Sequence, residues 1–132
     1  MKPKIPLRVA SGLMLLHTAG HTIGALTWKQ APNTRVATVI TGMQTEHFDF
    51  MGRSTSLGNF FDGYGFIMIG VLLLLTVMLW LEPSRKFILQ IGLFLFFMGV
   101  IELIYFFLLA AVFTLLAGIL TLYVYLIWKP SN

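Results

Sequence analysis

The run FILQIGLFLFFMGVIELIYFFLLAAVFTLLAGILTLYVYLIW, Phe87–Trp128, decides how the rest of the chain is read. One charged residue, Glu102, interrupts it. A helix needs about 20 mostly apolar residues to cross roughly 30 Å of hydrocarbon. The run is therefore too long for one crossing and long enough for two. A cut near Tyr105–Phe106 predicts spans over 86–104 and 107–128, with Glu102 and Tyr105 marking a tight turn. FFLLAA contains no Gly or Pro break, so the polar residues alone set the cut.

Upstream, the turn Glu82-Pro83-Ser84-Arg85-Lys86 is charged and contains a proline, which ends a preceding span over 58–81. A first span covers 6–28. It resembles a signal peptide in its basic start, MKPKIPLR, but no A-x-A site follows and the apolar stretch runs on to Trp28. Cleavage there would leave three spans. Between spans one and two lies the only substantial loop, Lys29–Leu57. Its segment TRVATVITGMQTEHF places Val36, Val39, Ile40, Met43 and His47 at near-helical spacing, which predicts a short amphipathic helix at the interface.

Composition agrees with a lipid environment. Of 132 residues, 58% are hydrophobic and 11% charged, against about 25% charged in a soluble domain, and the mean hydropathy is +0.86. Nine basic and five acidic residues cannot cover the surface of a chain this small with water-facing groups. The net charge of +4 does not indicate nucleic acid, because the basic residues sit at segment ends without a basic stripe interleaved with aromatics. With no cysteine, disulfides and thiolate metal sites are excluded.

The basic residues act instead as topology signals. Lys2, Lys4, Arg8, Arg85, Lys86 and Lys129 fall on one side, and Lys29, Arg35 and Arg53 on the other. The positive-inside rule then places both termini in the cytoplasm. Trp28 and Tyr64 fall at the outer interface, Trp80 and Trp128 at the inner one, as an aromatic belt would. The expected fold is all-α: a single integral membrane domain over 1–132, a four-helix transmembrane bundle with a short interfacial helix in the first loop.

Polar residues inside the spans are the candidate site. In HTAGHTIGALTW, His17–Trp28, two imidazoles lie four residues apart and share a helix face with Ala10, Gly24 and Trp28. Gly20 and Gly24 form a small-xxx-small pair beside them, which predicts close helix approach. On the last span, Thr114, Gly118, Thr121 and Tyr125 form a second small and polar stripe, suited to an interior. His21 lies about 10 Å and Asp62 about 6 Å below the outer end at the helical rise. Glu102 is near the outer end of its span. Buried ionisable groups pair with one another, so the expected partners are His21 with Asp62 or Glu102, with His17 deeper.

Histidines at i and i+4 can also ligate metal, and with Asp62 and Glu102 they would make a two-His-carboxylate set. Haem ligation by either His is a weaker alternative, since one helix cannot clamp a haem from both sides. The plainest alternative is a buried histidine that donates to a backbone carbonyl or to a carboxylate and serves structure alone. The segment GNFFDGYGF, Gly58–Phe66, lacks the Lys of a phosphate loop. It reads either as a glycine-rich span entry or as an outward pocket walled by Phe60, Phe61 and Tyr64 with Asp62 as polar anchor. Such a pocket suits a lipid-like or quinone-like molecule.

HxxGHTxG followed by Trp28, then GRS-x-S-x-x-NFFDGYGF, then Tyr105-Phe106-Phe107, resembles a group of small four-span bacterial membrane proteins described as DoxX-like. The resemblance covers nearly the whole chain. It implies a four-helix membrane bundle in the bacterial inner membrane and no particular activity. Relatives of that type often carry prolines after YFF, where this chain has Leu108-Leu109-Ala110-Ala111.

The candidate ligand- or proton-site residues are therefore His17, His21, Asp62, Tyr64, Glu102 and Tyr105, with His17 and His21 as metal candidates. The first functional expectation is a binding or accessory component for a lipid-like or quinone-like molecule or a membrane protein partner. The alternative is a membrane enzyme or redox component using the His/carboxylate site.

Overall fold

A computed structural model describes residues 3–128. Lys2 and Lys129, counted above as topology signals, lie outside the described residues. The elements in chain order are α1 (Lys4–Thr27), α2 (Thr34–Thr45), β1 (His47–Phe50), β2 (Arg53–Ser56), α3 (Leu57–Trp80), α4 (Arg85–Tyr105) and α5 (Leu108–Ile127). The described residues are all-α apart from one small hairpin. Among them three helices, α3, α4 and α5, are long and apolar enough to cross a membrane. The first helix does not join that set. It is long, but Lys4, Arg8, two histidines, four glycines or threonines around them and Ser11 dilute its apolar content.

The chain divides into two units, Met1–Gly20 with Val71–Asn132, and His21–Gly70. In the first, one apolar core draws Leu7, Ala10 and Met14 from α1, Leu72, Leu75 and Leu79 from α3, Ile88, Ile91, Leu95 and Met98 from α4, and Ala117 and Val124 from α5. The buried residues of α1, Leu7, Ala10, Ser11, Met14, His17 and Thr18, follow the three-and-four spacing of a single helix face. On α5 the buried face carries Thr114, Gly118 and Thr121, the stripe singled out in the sequence. The opposite faces are apolar too. Leu73 and Leu74 of α3, Phe97 of α4 and Leu126 of α5 are exposed.

The closest helix pair is α4 with α5. Gly92 and Gly99, seven residues apart, receive Leu122 and Leu115, and Gly118 lies against the backbone of Leu95 and Phe96. Small residues at such positions let two helices approach when no solvent drives them together. The expected place for this device was the Gly20 and Gly24 pair of α1. There, a Cβ would meet nothing within 4 Å, so neither glycine is needed for packing.

At one end of this unit the turn residue Glu82 has φ 56°, the left-handed region. Its carboxylate binds Arg8 Nη2 at 3.0 Å and Lys4 Nζ at 3.3 Å. The Arg8 guanidinium also stacks over Trp80, 3.9 Å from the ring centroid. Burial alone would raise the Glu82 pKa, but the hydrogen bonds and charges of Lys4 and Arg8 outweigh it and hold the carboxyl below its ordinary value. Across the same unit, Arg85 donates to the Trp128 and Tyr125 carbonyls, capping the end of α5.

In the second unit the expected amphipathic helix is present as α2, capped by Asn33, whose side chain accepts from the Val36 N–H. It ends before His47, which lies in β1 rather than on the helix face. The hairpin was not anticipated. β1 and β2 pair antiparallel, Phe50 opposite Arg53, around the two-residue turn Met51-Gly52. Both turn residues have positive φ, 54° and 82°, as the hairpin turn matching strand twist demands. Asp49 Oδ1 accepts from the Gly52 N–H at 3.0 Å and fixes it. The usual sequence signal for such a turn is Asn-Gly or Asp-Gly. Met51 in the first place hid it.

Candidate functional site

The candidate residues named from the sequence divide between the two units. In the first unit, His17 is buried between α4 and α5. Its Nδ1 lies 2.8 Å from Thr114 Oγ1, and its Nε2 lies 3.8 Å from Glu102 Oε1. Thr114, fully buried, also donates to the Ala110 carbonyl at 3.2 Å. Glu102 has one buried carboxylate oxygen, Oε2, with no hydrogen-bond partner. It turns into the helix group, as expected of a paired intramembrane carboxyl, but toward His17 and not His21, while the turn itself falls just beyond it at Phe106–Phe107.

The second unit contains His21, Asp62 and Tyr64. His21 Nε2 lies 3.1 Å from the Gly65 carbonyl, so that nitrogen carries the hydrogen and donates. Asp62 accepts from Trp28 Nε1 and from Lys29 Nζ, both at 2.7 Å. The expected pairing of His21 with a carboxylate is thus corrected. Gly65 lacks a side chain, which leaves its backbone open to α1. Ala25 would stand 3.3 Å from a Cβ there. A side chain at this position would crowd the close approach that brings the carbonyl to the imidazole. The carboxylate of Asp62 is claimed instead by the indole and ammonium at the end of α1. It was His17, expected only as a deeper neighbour, that met a carboxylate.

These separate partnerships dismantle the two-His-carboxylate set. Among the described residues, no three His, Cys, Asp or Glu side chains come together to hold a metal ion.

An open groove of about 510 Å³ lies between the hairpin and the first turns of α3, lined by Phe50, Arg53, Thr55, Asn59, Phe60 and Tyr64 among others. The expected pocket is present with a different lining. Phe60 and Tyr64 belong to it, and Phe60 is fixed by Phe48 (centroids 6.2 Å apart) and by an edge contact from Phe50 at 5.3 Å. Phe61 and Asp62 do not. On the helix they point the other way, Phe61 onto Trp28 with centroids 4.6 Å apart. The groove's cation is Arg53, supplied by a strand that the sequence did not reveal. Tyr105, the last candidate, is 75% exposed at the end of α4 and joins neither group.

The fold and sites define an α-helical chain with three membrane-length apolar helices, a buried His–Thr–Glu group and an aromatic groove. Compared with known protein families, curated proteins and solved structures, it matches none.

Proposed function

We propose that this chain is a four-span integral protein of the bacterial inner membrane, of the DoxX-like kind, that binds a lipid-like or quinone-like molecule. Its site is the groove beside the hairpin. The carrying observation is the wall composition: Phe50, Phe60 and Ile67 offer apolar surface, while Arg53, Thr55, Asn59 and Tyr64 add polar groups. A mostly apolar concavity with a few polar groups is the usual form of a small-molecule site. Arg53 suits an oxygen-rich or anionic head, and the aromatics suit a ring or chain.

The fourth span in this reading is α1. At 1.5 Å per residue its 24 residues cover about 36 Å. Its polar side chains are mostly answered from within the protein. Ser11 donates to the Thr76 carbonyl, Thr18 to the Met14 carbonyl, and the two imidazoles have the partners given above. Groups so satisfied cost far less in hydrocarbon than their hydropathy suggests. The helix α2 buries none of its residues and leaves Val36 and Val39 exposed, which suits a helix lying at the interface.

Two experiments test this. Because the chain lacks cysteine, Gln30→Cys and Ser84→Cys report sidedness cleanly. An impermeant thiol reagent applied to intact inner-membrane spheroplasts should label the first and spare the second. Equal labelling of both removes the four-span topology. For binding, a short-chain benzoquinone and a lysophospholipid are titrated onto the purified protein in detergent and retention is read by native mass spectrometry. Phe60→Ala or Arg53→Ala should weaken retention of the bound probe by about tenfold, the equivalent of about 1.4 kcal/mol. Retention unchanged in both variants would remove the groove from the proposal.

A further inference from the structure

The buried group in the first unit has a chemistry that groove binding does not use. Thr114 has one hydroxyl proton, with the Ala110 carbonyl at 3.2 Å and His17 Nδ1 at 2.8 Å as neighbours. His17 Nε2 faces Glu102 Oε1 at 3.8 Å in a largely apolar surrounding. The second carboxylate oxygen, Oε2, is buried without a hydrogen-bond partner. A negative charge held there is poorly solvated. One added proton neutralises it in either of two forms, imidazolium with carboxylate or imidazole with carboxylic acid.

We propose that His17 and Glu102 together are a binding site for a single proton, taken up from water and held between Nε2 and the carboxyl group, with Thr114 holding the imidazole in place through Nδ1. Loading adds one proton and one positive charge, bringing the pair from −1 to zero net charge. No bond other than N–H or O–H is made or broken. Intramembrane His and acidic groups are the usual elements of proton relays. Two groups this close titrate as a unit with properties belonging to the pair.

Other ionisable groups in this unit do not intrude. On α1, Lys4 and Arg8 engage Glu82, and Arg8 lies nine residues before His17, about 13 Å along the axis. His21, one turn beyond, donates to Gly65. The part of α3 in this unit, 71–80, carries no ionisable residue. On α4, Arg85 serves the end of α5 and Lys86 is exposed, both at the far end of the helix from Glu102, while Tyr105 is exposed. On α5, Tyr123 is exposed, and Tyr125 lies under Arg85, three turns from Thr114.

The test follows two probes in the reconstituted full chain from about pH 4 to pH 9, which brackets ordinary carboxyl and imidazole titration. Nitrogen NMR of labelled histidine reads the His17 ring, identified by the signal lost in His17→Asn. Infrared difference spectra read the carboxyl groups, with the Glu102 band identified by Glu102→Gln. The site predicts one shared step in which both signals change together. It also predicts that Glu102→Gln shifts the His17 step by at least about one pH unit, the size at which titrations count as coupled. Separate steps, an unshifted His17 signal, or no titration of either group in this range would overturn the proposal. The coincidence of steps is read in the unmodified protein, so the test decides even where a variant fails to fold.

Discussion

Replacing Gly118 by Ala tests the packing of α4 on α5 most directly. A Cβ at this position would stand 2.9 Å from the Phe96 backbone N and 3.3 Å from both the carbonyl carbon and Cβ of Leu95. The nearest atoms are main chain, so no rotamer change relieves them. The two helices must separate by roughly half an ångström, and overpacking of this kind costs about 1–3 kcal/mol. Alanine also gains about 1 kcal/mol over glycine as a helix former, which would blur a comparison with the parent protein alone. Gly12→Ala cancels that term: Gly12 is on α1, and a Cβ there meets nothing within 4 Å. The difference between the two variants should thus be about 1–3 kcal/mol, with Gly118→Ala the less stable. Gly92→Ala should fall between them, because the two contacts under 3.0 Å are Leu122 side-chain atoms that can turn aside. Reversible unfolding in mixed detergent micelles, followed by far-ultraviolet circular dichroism, reads all three. Gly118→Ala as stable as Gly12→Ala would refute the tight α4–α5 contact.

Two further outcomes are expected. Thr114→Val removes the hydroxyl bonded to His17 Nδ1 and should destabilise by about 1–3 kcal/mol through the stranded imidazole nitrogen; Thr114→Ser should recover most of this in the same micelle assay. Glu82 has a folded pKa below its unfolded one, so its contribution is complete above the unfolded value, about 4.3, and fades as pH falls through the folded value. The difference in melting temperature between the parent and Glu82→Gln should accordingly shrink on acidification, and a difference independent of pH down to about 3 would refute the ion-pair account.

The long helices were legible because runs such as Ile67–Trp80 are continuously apolar over the length of a membrane crossing, and because Pro83 with its charged neighbours punctuates them. Their inward faces were mostly not legible. On α4 Leu and Ile occur both in the core (Ile88, Ile91, Leu95) and on the exterior (Leu93, Leu103, Ile104), so the inward reading of Glu102 rested on the cost of burying its charge and not on its neighbours. On α5 the polar stripe broke that symmetry, and Thr114 and Thr121 are buried as expected. Helical periodicity put both imidazoles of α1 on one face but could not rank them. A single turn decides whether a ring meets a carboxylate or a carbonyl, and that depends on where Gly65 lets the backbone come close. The groove was half visible: Phe60 and Tyr64 come from a recognisable segment, whereas Arg53 and Phe50 depend on a hairpin whose turn begins with Met51.

The partners of α1 have a consequence for biosynthesis. Its hydroxyl, guanidinium and imidazole groups find their mates 65, 74 and 97 residues further along the chain, at Thr76, Glu82 and Thr114. At a translation speed of about 5–20 residues per second, His17 waits roughly 5–20 s for the hydroxyl it bonds. During that interval the face of α1 that later becomes interior still exposes its polar groups. Under the four-span proposal the helix is meanwhile sheltered by the insertion machinery or held at the water boundary, and a ribosome stalled before Thr114 should leave α1 extractable from the bilayer.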